Sequence, residues 1–230
     1  MKVVILCGGL GTRLSEETST KPKAMVKIGK VPILIHIMKH YERYGFNEFI
    51  VALGYKGHVI KKYFKSKKNN RIHLIDTGQK TLTGGRIKKL KNLLKNEKEF
   101  MLTYGDGLSN INLKKLLQFH RKHKKMATIT AVRPPLRFGE LEINFKNFLV
   151  KKFEEKPQGT SGRINGGFFI FDNKVLKLFK KDEMLERGPI QKLARSKNLV
   201  AYKHNGFWQC MDTLRDKEIL EDAVRKKFST

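Results

Sequence analysis

Apolar residues in the first part of the chain follow two alternating rhythms. Short unbroken runs, Val3 to Leu6, Phe49 to Ala52, Ile72 to Ile75, Phe100 to Thr103 and Ala127 to Ala131, have the length of buried strands. Between them, over Ile33 to Tyr44, His58 to Phe64, Arg86 to Leu94 and Leu113 to His123, apolar positions recur at the three- and four-residue spacing of a helix with one buried face. The alternation predicts βαβ units, and so an α/β fold with a Rossmann-like, mostly parallel sheet flanked by helices. From Phe138 onward the rhythm shortens to FGELEI, FLVKKFEE and INGGFFIF, which predicts a small antiparallel β extension over one side of a cleft. A helix from Thr213 to about Lys227 is expected to close the chain. With no internal repeat or linker composition, the expectation is a single domain over 1–230, with 1–135 as its core and 136–230 as the extension and last helix.

Composition narrows the function classes. The chain has 230 residues and a formal net charge of +28, which taken alone suggests nucleic acid or an acidic membrane surface. The lysines are scattered over nearly every segment, aromatic residues are not interleaved with them as on a base-stacking surface, and no helix-turn-helix, zinc finger or RNA-recognition signature is present. The expected partner is therefore a small anionic molecule, with no nucleic acid and no membrane. No apolar run reaches the roughly 20 residues of a spanning helix. The amino terminus runs into a strand without a cleavable signal pattern, and the expected location is the cytoplasm. Cys7 and Cys210 have neither metal-ligand spacing nor a disulfide framework and read as reduced thiols.

The candidate chemistry begins where the first strand empties into glycine. Leu6, Cys7, Gly8, Gly9, Leu10, Gly11, Thr12 and Arg13 form a loop whose amides can approach an anion without Cβ interference. It is neither a GxxxxGK[ST] loop nor a GxGxxG fingerprint, and a tight turn alone would account for its glycines. Arg13 and, ten residues on, Lys23 in TKPKAM favour the phosphate reading; Pro22 holds Lys21 extended, so this segment is expected to cross the cleft rather than wind into a helix. Gly105 and Asp106 follow the strand FMLT, where a carboxylate can bind a divalent metal carrying phosphates or merely cap a turn. Asp212 in GFWQCMDT offers a second hard ligand, with an N-cap, or a residue close to one, as its alternative. Lys156 in FEEKP stands at a strand end and could meet a second phosphate. Asn165 and Gly166 in INGGFFIF sit where a flat ligand could approach backbone, although a bulge explains the glycines equally. Phe207 and Trp208 read as core, and His36 as a partly buried helix residue. The histidines show no metal-hydrolase spacing, and no serine, histidine and acid set is readable.

Together the segments ILCGGLGTRLSEET, KPKAMVKIG, GYKGHVIKKYF, DTGQKTLTGGRIK, TYGDG, RFGELEI, FEEKPQG, INGGFFIF and GFWQCMDTLRDK resemble the sugar-phosphate nucleotidyltransferases. LSEET, TLTGGR and GFWQCMDTLRDK resemble the branch that transfers cytidylyl groups to glucose 1-phosphate. The resemblance implies that Leu6 to Arg13 wrap a nucleoside triphosphate, with Arg13 and Lys23 on its phosphates. It implies that Thr81, Gly85 and Arg86 lie near the pyrimidine, that Asp106 and Asp212 hold Mg²⁺, that Lys156 binds the phosphate of the sugar, and that Asn165 and Gly166 lie against the hexose. The implied catalytic set is Arg13, Lys23, Asp106 and Lys156, the implied antiparallel extension covers the sugar side, and the implied assembly is a homo-oligomer. This chain departs from the pattern in a short connection between Phe64 and Ile72, where the cytidylyltransferases carry a longer excursion that helps shape subunit contacts. It also has Cys7 in place of alanine, Cys210 in place of proline and Lys27 in place of an acidic residue. The same transfer to another sugar phosphate or from UTP or dTTP, a regulator without catalysis, and a nucleic-acid module are the alternatives.

Overall fold

The computed structural model describes residues 1–66, 69–134, 140–144, 147–154 and 162–226. The chain opens with β1 (Lys2–Cys7), a 3₁₀ turn (Thr12–Leu14), α1 (Ser15–Thr18), a second 3₁₀ turn (Lys23–Met25), the short strands β2 (Lys27–Ile28) and β3 (Val31–Pro32), and α2 (Ile33–Glu42). It continues through β4 (Glu48–Leu53), α3 (Gly57–Lys65), β5 (Ile72–Asp76), α4 (Thr83–Lys89), α5 (Lys91–Leu94), β6 (Glu99–Tyr104), β7 (Gly107–Ser109), α6 (Leu113–His123) and β8 (Ala127–Val132). Then come β9 (Glu140–Asn144), β10 (Leu149–Glu154), β11 (Ile164–Asp172), a 3₁₀ segment (Asn173–Leu178), α7 (Pro189–Arg195), β12 (Leu199–His204), β13 (Trp208–Cys210) and α8 (Leu214–Arg225).

Seven strands make one sheet in the order β12-β8-β11-β6-β1-β4-β5. β4, β1 and β6 pair in parallel, as do β4 with β5 and β8 with β12, whereas β11 runs antiparallel to both β6 and β8. The mostly parallel α/β sheet read from the sequence is the one observed. INGGFFIF is the exception. It belongs not to a separate extension but to the middle of the main sheet, where its run of buried residues is enclosed on both faces. Of the three segments expected in the extension, ELEIN and LVKKFE form an antiparallel pair outside the main sheet, as do β7 with β13 and β2 with β3 elsewhere.

β1 shows how the sheet divides the core. Val3, Ile5 and Cys7 point into a cluster with Ile33, Leu34, Ile37, Met38 and Tyr41 of α2, while Val4 and Leu6 point into another with Ile87, Leu90 and Leu94. Strand side chains alternate faces, so a strand apolar at every position must be covered on both sides. One helix expectation is revised: Arg86 to Leu94 is not one helix. α4 starts earlier, at Thr83, because the distant Asp182 carboxylate accepts from the Leu82 amide at 2.9 Å, and the chain bends at Leu90 (φ −91°, ψ 0°) before α5.

β11 matters for function because of its direction. Parallel strands all bring their carboxyl ends to one edge, where ligands bind in open α/β sheets. A reversed strand brings its amino end there instead, so Asn165 and Gly166 reach the edge where β1 and β6 finish. At Gly167 (φ +76°) the pairing with β8 slips, and a Cβ would stand 2.7 Å from the Tyr104 ring, so a non-glycine residue is excluded on both counts.

Candidate active site

Two cavities open along this edge. The first, of about 270 Å³, is lined by Leu6 to Gly9, Gly11 to Leu14, Lys23, Thr83, Arg86 and Tyr104 to Asp106. The second, of about 260 Å³, is lined by Tyr104, Asn165 to Phe168, Trp208 and Cys210 among others. Arg13, Tyr104, Asp106 and Asp212 belong to both walls, so the cavities meet at a pair of carboxylates.

Those carboxylates converge on one cation. The Lys23 ammonium lies 2.8 Å from Asp106 Oδ2 and 2.6 Å from Asp212 Oδ1, and Arg13 reaches Asp212 Oδ2 at 2.9 Å from a largely exposed position. Local structure explains each placement. Pro22 is extended (φ −71°, ψ 154°), its φ fixed by the ring, but a single 3₁₀ turn follows at Lys23–Met25 where an extended crossing was expected; that turn aims Lys23 into the cleft while burying Ala24 and Met25. Asp106 follows the end of β6 after Gly105. Asp212 is not the N-cap of α8. Thr213 is, in a capping box with Asp216, and Asp216 also accepts from the Asp212 amide at 3.0 Å, leaving the Asp212 carboxylate free to face the cleft.

Burial disfavours charge on both Lys23 and Asp212, but for Lys23 the attraction of Asp106 and then Asp212, and for Asp212 that of Lys23, more than offsets it. The ammonium is held above its usual range; with Arg13 and the Cys210 thiol assisting, the carboxyl is held below its usual range. The Cys7 thiol, buried and facing Asp106, is pushed far up, and Cys210 is pushed up to about 12 by burial and by Asp212. Neither is a thiolate near neutral pH, so neither is a nucleophile.

Arg86 has an unexpected posture. Its guanidinium donates to Leu53 O at 2.8 Å, Thr77 Oγ1 at 2.6 Å, Gly78 O at 3.0 Å and Gly8 O at 3.0 Å, lacing together the ends of β1, β4 and β5 beneath the glycine loop. Gly8 is needed there, because a Cβ would fall 2.0 Å from the guanidinium carbon. Thr81 turns to the Thr77 carbonyl, and Gly85 abuts Asp182; neither is in the cavity wall, whereas Thr83 and Arg86 are. Leu10 stands 54% exposed at the loop tip. Lys156 lies outside the described residues. Trp208 and Phe207, read as core, both pack partly buried against it, but Trp208 also lines the second cavity and donates from Nε1 to Gly166 O at 2.7 Å; His36 is half-buried with Nε2 on Ile28 O. Thr83 and Tyr104 lie within the TLTGGR and TYGDG segments without an assigned role, and Glu186, which bonds to both, lies about a hundred positions from Thr83.

The site is thus a glycine-lined anion cavity joined to a second cavity through two carboxylates and two cations. Comparison with known proteins agrees with this reading. The model of a family described as nucleotidyl transferase matches residues 2–213. The chain belongs to the nucleotidyl transferase family. It is 45% identical to the glucose-1-phosphate cytidylyltransferase of Salmonella typhimurium, covering 98% of this chain and 96% of that protein. It is 31% identical to the mannose-1-phosphate guanyltransferase of Saccharomyces cerevisiae, covering 97% of this chain and 64% of the yeast protein. Among solved structures, HddC from Yersinia pseudotuberculosis complexed with GMP-PN superposes with a TM-score of 0.75 at 26% identity, over 97% of this chain and 99% of that one.

As a family member the chain has a site that must accommodate a nucleotide, and two carboxylates suit a metal that arrives with one. Among the described residues no three His, Cys, Asp or Glu side chains converge, so an all-protein metal cage is excluded there. A divalent ion needs only one or two carboxylates when phosphates supply the remaining oxygens, and Asp106 with Asp212 already gathers one positive charge.

Proposed function

We propose that this protein is a Mg²⁺-dependent nucleotidyltransferase that joins CTP and α-D-glucose 1-phosphate to give CDP-glucose and pyrophosphate. The observation that carries this reading is the meeting of two cavities at Asp106, Asp212, Arg13 and Tyr104: two substrates, one seam. The choice of cytosine and glucose follows the Salmonella relative, to which the chain is similar along nearly its whole length.

The phosphate of the sugar is already an anion, so no general base is required. One of its oxygens attacks the α-phosphorus in line, a new P–O bond forms, the bond to the bridging oxygen breaks, and its electron pair leaves with pyrophosphate. The protein's tasks are alignment and charge neutralisation. The loop amides from Gly8 to Gly11 hold the triphosphate, and Arg13 and Lys23 reduce the repulsion between the two approaching anions. Lys156 would meet the sugar phosphate, and Asn165 with Gly166 the hexose. Mg²⁺ on Asp106 and Asp212 would add Lewis-acid charge at the α-phosphate.

Pyrophosphate release measured over a panel of nucleoside triphosphates and sugar 1-phosphates tests the reading. CTP with glucose 1-phosphate is expected to turn over fastest. Preference for GTP with mannose 1-phosphate, as the name of the yeast relative suggests for that protein, would move the base and sugar assignment. No turnover with CTP in any pairing would reject it.

A further inference from the structure

Glu186 lines neither cavity, yet its carboxylate holds residues of both. Oε2 accepts from Thr83 Oγ1 at 2.9 Å, and Thr83 lines the first cavity. Oε1 accepts from the Tyr104 hydroxyl, and Tyr104 lines both. A carboxylate only accepts, so each hydroxyl directs its one proton at Glu186. Thr83 Oγ1 in turn accepts from the Leu185 amide at 2.8 Å. The Tyr104 oxygen, its proton committed, can only accept, and it does so from Asn165 Nδ2 at 3.4 Å. Asn165 Oδ1 accepts from the Gly167 amide at 2.8 Å. The Asn165 amide is therefore oriented from both ends: an acceptor must face Gly167 and a donor must face Tyr104.

We propose that Glu186 is a positioning residue for the sugar phosphate, setting through Tyr104 which way round Asn165 presents its donor and acceptor to the second cavity. The inference rests on the functional reading above and names what selects the sugar. A sugar hydroxyl that meets the Asn165 N–H group accepts from it, and one that meets the free lone pair of Oδ1 donates to it. A hexose lacking the matched hydroxyl leaves a partly buried polar group unpaired, which is the strongest basis for rejecting an analogue. The carboxylate that fixes this pattern never touches the ligand, and through Thr83 the same group is anchored to the nucleotide side.

The test is the discrimination of the intact enzyme between glucose 1-phosphate and its monodeoxy analogues, compared as kcat/KM with CTP saturating. In Glu186→Gln the new amide must donate to one of its partners, which frees a proton on Tyr104 or Thr83. Against at least one monodeoxy analogue, the preference is expected to shrink about tenfold. Tyr104→Phe is expected to shrink it similarly, and Glu186→Gln added to Tyr104→Phe to change it less than about twofold, because both act through one hydroxyl. A loss by the same factor for every sugar phosphate, or additive effects of the two substitutions, would overturn the proposal. If Glu186→Gln fails to fold, Tyr104→Phe decides alone, since it leaves the Glu186–Thr83 bond in place; unchanged discrimination there overturns the relay. Absence of turnover in the wild type would instead reject the functional reading itself, and the proposal with it.

Discussion

Lys23 shows how much a single residue can settle. Its position after TKP marked it as a cleft residue, but its bond to two carboxylates separated by over a hundred positions could not be read from spacing. The charge balance there is strict, since removing either acid leaves a partly buried cation and its partner underpaired. Asp106→Asn and Asp212→Asn are each expected to lower kcat at least a hundredfold while the far-ultraviolet circular dichroism stays native; near-normal rates in both would refute the metal assignment. Arg86 separates architecture from chemistry. Its motif marked it as a nucleotide residue, and while it lines the first cavity its guanidinium is laced to five backbone or hydroxyl oxygens, a fork that lysine cannot reproduce. Arg86→Lys is expected to cost about 2–3 kcal/mol in urea unfolding. His40 predicts a pH effect. Burial holds its folded pKa at about 4, against an ordinary value of 6.5, despite a hydrogen bond to the Ile111 backbone. The neutral form is thus favoured by folding: its contribution is complete above the unfolded value and is lost as pH falls from about 6.5 toward 4. Urea midpoints over that range should fall with pH, and His40→Leu should flatten the slope.

At the scale of elements, the strands and the helices α2, α3 and α6 were legible because their apolar periods match the faces they bury. Direction was not. Alternation identifies INGGFFIF as a strand but carries nothing about its neighbours, so its reversed place between β6 and β8 emerges only from the sheet, and with it the route by which Asn165 enters the cleft. The start of α4 was hidden for a related reason, being capped by Asp182 from across the fold. The start of α8 was legible, since Thr213 with Asp216 is a local capping pattern. Asp216 additionally gathers the Asp212 amide and the Gln209 side-chain amide. Asp216→Ala is expected to cost about 1–2 kcal/mol and also to raise the divalent-ion concentration needed for half-maximal turnover. Stability lost with unchanged metal dependence would show that the cap supports only the helix.

At the scale of the molecule, the sheet separates two apolar clusters and leaves one edge for chemistry, an organisation the early strand-helix rhythm already implied. The +28 charge comes from lysines and arginines spread along the whole chain, whereas Arg13 and Lys23 at the seam are paired with acids. Self-repulsion of this size opposes compactness and is screened by salt, so the thermal midpoint should rise between low salt and about 0.2 M. A midpoint that falls would instead mean that attraction within surface ion pairs outweighs the repulsion. The shape of the active edge, two cavities joined at paired carboxylates, suits the proposed union of two anions at one phosphorus. CTP labelled at its α-phosphate, incubated with glucose 1-phosphate and Mg²⁺, tests that directly: the label is expected in CDP-glucose, with unlabelled pyrophosphate released in equal amount. Label remaining in CTP, or appearing in CMP with none in a sugar nucleotide, would overturn the assignment.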